Sequence, residues 1–290
     1  MFKFAILGCE NSHANKFLKY VVTDKLYEDM EVAGIWSDEP EAVQKLVDEF
    51  GVYAMSAPDE LVGKIDALVV TARRGSDHFK LAKPYIESGI PMFIDKPITS
   101  NPQEAVEFMK ALKAGGIKVT GGSSLIHSTR VEELKAEIAK AENGVVLGGF
   151  MRAPLQINSP YDGIYFYCMH LLQSMQEIFG YYPNSLKTFQ NGKVVTVVVR
   201  YDEFDVACEF IEGSYVYRAF VSFPKSFLGG DIAVTDREFK MEFDRLHELL
   251  LGGEMHQSYR DFIAPVFLGE ALKLAVETGE EITVERPEEI

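Results

Sequence analysis

Cysteine is scarce in this sequence: Cys9, Cys168 and Cys208 lie far apart and are odd in number. That leaves no basis for a disulfide framework or a zinc site, and it points to reduced thiols and a cytoplasmic setting. Basic side chains are outnumbered, with 29 Lys and Arg against 44 Asp and Glu and a formal charge of −15. No long basic run offsets this, so a polyanion would approach against the field and nucleic acid is not an expected partner. Long apolar runs are missing too. Ala67-Leu68-Val69-Val70 is typical, against the ~20 residues that span a bilayer, so no membrane association is expected. The opening Met1 to Gly8 lacks both the apolar core of a secretion signal and a cleavage site after it. What remains is a globular composition, 47% hydrophobic and 25% charged over 290 residues. A chain of this length buries a core without staples and makes one large domain or two ordinary ones.

The first 120 residues alternate short apolar runs with amphipathic stretches. Strands are expected at Lys3–Leu7, Val32–Trp36, Ala67–Val70, Met92–Ile94 and Ile117–Thr120. Helices are expected from Asn11 or Ser12 to about Val22, at Pro40–Phe50, at Asp77–Ser88 and at Pro102–Ala114. Strand and helix in regular alternation imply a parallel sheet covered on both faces, a Rossmann-type doubly wound domain over residues 1–120. Residues 121–290 read differently. Helices at Thr129–Glu142 and Tyr165–Phe179 flank a strand at Gly144–Met151. Strands follow at Lys193–Tyr201, Asp205–Ile211 and Ser214–Phe223, with Glu212-Gly213 as a hairpin turn between the last two. This is an α+β domain on an open, mostly antiparallel sheet. A final helix, Asp261–Thr278, is expected to pack back on the first domain.

The turn after the first strand is the first candidate site. A strand, Gly8, and a helix capped by Asn11 or Ser12 is how dinucleotide-binding sheets begin, with free amides for a pyrophosphate. Read as G-x-G-x-x-G from Gly8, the pattern has Glu10 at the second glycine and His13 at the third. Glu10 brings bulk and negative charge to a place where phosphate approaches the backbone, and His13 is large for a close helix–strand contact. A nucleotide loop and an α/β turn without nucleotide both stay open. The second strand ends in Trp36-Ser37-Asp38, with Ser37 where an acid for the ribose is expected, Asp38 after it and no basic neighbour. That favours NAD over NADP. The Cys9 thiol near the helix start is either activated or an inert small residue. The E-x-x-H spacing of Glu10 and His13, and the pair His247 and His256 near Glu248 and Glu254, match no metal signature, so no metal is expected.

Asp95-Lys96-Pro97 directly follows a strand and so stands at the carboxyl edge of the sheet. Together with Thr71-Ala72-Arg73-Arg74-Gly75-Ser76-Asp77-His78 it resembles the glucose–fructose oxidoreductase and inositol dehydrogenase (Gfo/Idh/MocA) family. That family carries Glu-Lys-Pro after its fifth strand and a Thr-Pro-Asn-x-x-His-like loop after its fourth. This chain keeps the lysine, proline and histidine, has Asp95 for the glutamate, and lacks the loop's proline and asparagine. Phe262 to Val284 resembles the family's return helix and Gly-Glu-x-x-x-Val tail, so the resemblance covers essentially the whole chain in element order. The family's Asp-x-Gly-x-His-x-x-Asp helix start, with a glycine ten residues past the histidine, is matched by His170 and Gly180. Phe166, Cys168 and Gln173 replace the first aspartate, the glycine and the second aspartate.

The resemblance implies an NAD- or NADP-dependent oxidoreductase acting on a sugar, polyol or related hydroxy compound. It implies that Lys96 and His170 handle the proton. Gly8, Glu10, Asn11, Ser12, His13, Ser37, Asp38, Thr71, His78, Asp95 and Lys96 become candidate cofactor residues. Asp162, Tyr165 and Tyr167 become candidate substrate residues and candidate stand-ins for the missing carboxylate beside His170. Family members associate through the open face of the second sheet. Val195, Val197, Val199, Val216 and Phe220 would supply that face here, in a homodimer or homotetramer. The substitutions at Glu10, His13, Phe166 and Gln173 motivate the alternative, a small-molecule binding or sensing protein that keeps the fold without the catalysis. A lyase or isomerase with a permanently bound cofactor is a third reading.

Overall fold

The computed structural model describes all residues from Met1 to Ile290. In chain order the elements are β1 (Phe2–Leu7), α1 (Ser12–Leu18), β2 (Met30–Trp36), α2 (Pro40–Phe50), β3 (Ala67–Val70), α3 (His78–Ala82), β4 (Met92–Asp95), α4 (Pro102–Ala114) and β5 (Val119–Gly122). They continue with α5 (Thr129–Ile138), β6 (Gly148–Leu155), α6 (Tyr165–Phe179), β7 (Ser185–Asn191), β8 (Val194–Arg200), β9 (Asp205–Glu212), β10 (Arg218–Phe223) and β11 (Ser226–Asp231). The last are α7 (Asp236–Leu250), α8 (Tyr259–Thr278) and β12 (Ile282–Thr283). The chain forms two compact units: Met1–Gly122 with Thr235–Arg260 and Ile290, and Ser123–Val234 with Asp261–Glu289.

The first unit is a five-stranded parallel sheet in the order β2-β1-β3-β4-β5. β1 lies between β2 and β3, so the strand order reverses there and a crevice opens at the carboxyl ends of those strands. All four residues of β3 and of β4 are buried, as expected for strands covered on both faces. The segment expected as one helix over Asp77–Ser88 is a short α3 flanked by 3-10 turns at Gly75–Asp77 and Lys83–Ser88. Pro84 lacks the amide that a continuous ladder needs.

Helix α7 went unread in the sequence, and it completes this unit. Thr235 caps it, with Glu238 reaching back to the Thr235 amide. Phe243 and Leu246 enter the core, where the Phe243 ring lies 4.8 Å from Phe17 and 5.6 Å from Phe4. The sequence assigned this return to the final helix. α7 belongs to this unit, while α8 from Asp261 onward belongs to the second.

The second unit is built on a seven-stranded sheet ordered β11-β10-β6-β9-β8-β7-β12. Its pairs are antiparallel except β6 with β9. The expected hairpin at Glu212-Gly213 is therefore corrected. β9 and β10 are not partners, because β6 runs between them and bonds to both. The turn residues were read properly for a chain reversal, but local sequence carries no signal for a strand inserted from 60 residues upstream.

A second correction concerns the open face. Val195, Val197 and Val199 are buried, on the side of the sheet where the Cys208 thiol meets Met175 of α6 and the Thr188 hydroxyl bonds to the Ala275 carbonyl of α8. They are core residues. Val216 lies outside any strand, in the connection before β10. Of the expected set only Phe220 lies on a strand face without being fully buried, stacked on the exposed Phe227 with centroids 5.0 Å apart.

Candidate active site

The turn after β1 is held by the turn after β3. Gly8 has φ of +98°, and a Cβ there would sit 2.2 Å from the Ala72 amide nitrogen. The glycine is thus required by the meeting of two backbones, whatever binds above them. The Thr71 hydroxyl donates to the Gly8 carbonyl at 2.6 Å. His78 Nε2 donates to the Ala72 carbonyl at 2.8 Å. Both side chains are fully buried. Each side chain is spent on pinning the loops together.

Glu10 does not project from the loop. Its Oε2 accepts from the Cys9 amide at 2.7 Å and from the Ser37 hydroxyl at 2.7 Å, and its Oε1 accepts from the Arg73 amide at 2.9 Å. The Arg73 guanidinium donates to the Glu10 carbonyl. Asp38 beyond it is exposed, in the turn before α2. Burial, then the neighbouring Glu10 carboxylate, push the Cys9 thiol up to about 12, against a weaker pull from the Trp36 carbonyl, and so favour the protonated, unreactive form.

Asn11 caps α1, its side-chain oxygen accepting from the His13 amide. Its amide group donates to the Thr71 carbonyl and to Asp95 Oδ2 at 2.9 Å. Ser12 is exposed at the start of α1. His13, large for a glycine site, is accommodated by going inward. Its Nδ1 lies 3.2 Å from Asp95 and its Nε2 3.0 Å from Glu242 of α7, with all three side chains buried. Burial alone would favour neutral imidazole. The two carboxylates outweigh it and hold His13 protonated well above the usual histidine range. Burial opposes ionisation of Asp95, yet His13 keeps its carboxyl below the usual range. Burial pushes Glu242 up to about 7, against the pull of His13. One Glu242 oxygen, Oε1, is buried without a hydrogen-bond partner. His13 and Asp95 are thereby corrected from cofactor contacts to a buried ionic lock under the loop. Glu242, 229 residues from His13, was beyond any reading by spacing.

Lys96 follows Asp95 at the carboxyl end of β4 and is half-buried. Its amide donates to Asp95 Oδ1 at 2.7 Å. The next residue packs against the β3 turn, since a Cβ on Gly75 would lie 2.5 Å from Pro97 Cγ. The lysine therefore stands on a backbone held from two sides.

In the second unit, His170 lies in the second turn of α6, which ends at Gly180 with φ of +112°. His170 Nδ1 lies 2.6 Å from the Ser123 hydroxyl, and its ring centroid is 6.0 Å from Tyr217. Ser123 thus stands beside the ring in place of the missing carboxylate. Tyr165 is buried, with its hydroxyl on Glu270 of α8 at 2.5 Å and its ring against Gly269, so it is corrected from a substrate residue to a helix-packing one. Asp162 occupies the left-handed turn before α6 with φ of +61°. Tyr167 is half-buried beside the exposed Tyr215, 5.9 Å between centroids. Gln173, one turn beyond His170, is buried with Oε1 unpartnered.

These features define a class: a protein with a doubly wound dinucleotide-type sheet and a second α+β unit carrying a histidine helix. Residues 2–123 match the model of the oxidoreductase family with an NAD-binding Rossmann fold, Gfo/Idh/MocA. That match spans the first sheet of the chain. A putative myo-inositol dehydrogenase from Sinorhizobium meliloti superposes with a TM-score of 0.82 at 14% identity, over 98% of this chain and 100% of that one. The apo scyllo-inositol dehydrogenase from Lactobacillus casei gives 0.84 at 13%, over 98% of both chains. The WlbA dehydrogenase from Chromobacterium violaceum, solved with NADH and UDP-GlcNAcA, gives 0.80 at 14%, over 98% of this chain and 96% of that one. At these identities the likeness is one of fold. No curated protein matches the sequence. No helix is long and apolar enough to cross a membrane.

Proposed function

We propose that the protein is an NAD(P)-dependent oxidoreductase acting on a sugar, polyol or related hydroxy compound. The observation that carries this reading is Lys96, set at the carboxyl edge of an NAD-family sheet on a turn locked by Asp95 and Gly75. The residues at the strand ends fit a dinucleotide, because a carboxylate rests on Ser37 at the end of β2, where the adenosine ribose is held in such folds. When bound, the nicotinamide would accept or supply the hydride.

The chain's own residues then manage the proton. The Lys96 ammonium lowers the cost of negative charge on a substrate oxygen. His170 is assigned to exchange a proton at Nε2, since its Nδ1 is committed to Ser123. Tyr167 and Tyr217 offer aromatic faces beside it, and Gln173 offers a buried acceptor for a hydroxyl. Association of copies through the face bearing Phe189 and Phe227 belongs to the same proposal and is read by light scattering.

The test is a titration of the purified protein with NAD and NADP, followed by absorbance at the reduced nicotinamide band with a panel of polyols and sugars. Reduction of either nucleotide by a hydroxy compound supports the reading. No binding of either nucleotide at millimolar concentration removes it in favour of a small-molecule binding protein. That alternative draws on Phe166, which leaves His170 without a carboxylate four residues earlier.

A further inference from the structure

The acid that a dinucleotide fold needs at the end of β2 is absent from the strand, where Ser37 stands. A carboxylate is nevertheless there in space. Glu10 crosses from the β1 turn to the end of β2 and bonds Ser37 Oγ through Oε2 at 2.7 Å. The same oxygen takes the Cys9 amide, and Oε1 takes the Arg73 amide at 2.9 Å. The carboxylate is therefore oriented by three donors from three separate turns, and it is only partly buried. A carboxylate accepts about four hydrogen bonds. One acceptor position on Oε1 is left over, and the Ser37 hydroxyl on Oε2 can rotate.

A ribose diol and a ribose 2′-phosphate differ sharply before such a group. The diol brings two O–H donors. The phosphate brings only acceptors and negative charge, which meets the carboxylate at short range with Coulomb repulsion. The Arg73 guanidinium beside it donates to the Glu10 carbonyl.

We propose that Glu10 is the ribose-reading carboxylate of this protein, moved from the end of β2 to the loop after β1, and that it selects NAD over NADP. The inference rests on the dinucleotide reading above and adds which nucleotide is taken and by which residue. In the second-glycine position Glu10 would crowd a phosphate only if its side chain faced the backbone amides there. Held as it is, its removal weakens NAD.

The experiment uses the full chain and four probes: NAD, NADP, ADP-ribose and 2′-phospho-ADP-ribose. Binding is followed by calorimetry and by the emission of Trp36, the only tryptophan, at the end of β2. Wild type is expected to favour each diol ligand over its 2′-phosphate by about tenfold or more. Glu10→Gln keeps the size and loses the charge; it should weaken ADP-ribose and shrink the preference to within about threefold. Glu10→Gly should weaken NAD as well, with circular dichroism confirming the fold. Equal affinity of wild type for both members of a pair overturns the proposal and leaves the oxidoreductase reading standing. An unchanged preference in Glu10→Gln, or tighter NAD in Glu10→Gly, does the same. Failure of wild type to bind any of the four removes both.

Discussion

Two histidines stand where the family pattern meets its largest departures in this chain, and they are treated in opposite ways. His13 replaces a glycine and is buried between two carboxylates, Asp95 and Glu242. His170 keeps its expected position but has a serine hydroxyl at Nδ1, with Phe166 where a carboxylate is usual. The first is a charged post inside the fold, and its protonation is tied to stability. The second is half-buried, and the Ser123 hydroxyl at Nδ1 orients its ring. A histidine's role is set by what faces it, and spacing along the chain does not report that.

The comparison can be broken most sharply at Lys96. Lys96→Ala should reduce turnover on the order of 1,000-fold or more while stability moves by about 0.5 kcal/mol. Near wild-type turnover would take the lysine out of the mechanism. His13→Leu should do the reverse at the other histidine. It leaves two buried carboxylates without their cation and should cost about 3–5 kcal/mol in chemical denaturation. A loss below about 1 kcal/mol would show that the cluster is not an ionic lock.

His170→Asn should lower the rate by about 100-fold or more near neutral pH and flatten the pH–rate profile. Ser123→Ala, which removes only the orienting hydroxyl, should cost roughly tenfold in kcat, with the profile displaced and KM little changed. If the two variants lose activity equally, the histidine acts only through its orientation.

The smallest expected effect is a slope. Glu242 titrates higher in the fold than in the unfolded chain, because burial outweighs the pull of His13. The folded state thus binds that proton more tightly. Its stabilising contribution is complete below the ordinary carboxylate range and is lost as pH rises through about 7. Wild type should therefore lose melting temperature relative to Glu242→Gln between about pH 5 and about pH 8. Parallel curves would mean that the carboxyl does not change its charge there.

The fold was legible wherever local pattern and local cap agree. Pro40–Phe50, Ala67–Val70, Pro102–Ala114 and Tyr165–Phe179 were read with the bounds they have. Each is a periodic or continuous apolar run between a cap or proline and a glycine or turn. The helix Asp236–Leu250 carries the same signals, including its capping box, and was passed over in favour of the family's return helix. The Glu212-Gly213 turn marks a reversal of the chain, but which strand lies next to it depends on β6. The three alternate valines of β8 announced a face, and only the packing of α6 and α8 decided that it is the inner one. At the site, Lys96, His170 and Glu10 were marked by position, whereas Glu242 was not marked at all.

By itself the sequence determined the succession of strands and helices in the first sheet, the turn after Gly8, the place of Lys96 at a strand end and that of His170 one helical turn into α6. Periodicity, capping and strand-end position are properties of neighbours along the chain, and those are written in order. Only the tertiary structure decided that His13 is an internal cation, that Ser123 orients His170, and that Glu10 lies on Ser37. Each depends on groups dozens to hundreds of residues apart. At those separations the sign and reach of an electrostatic contact follow from burial and distance, and neither exists until the chain is folded.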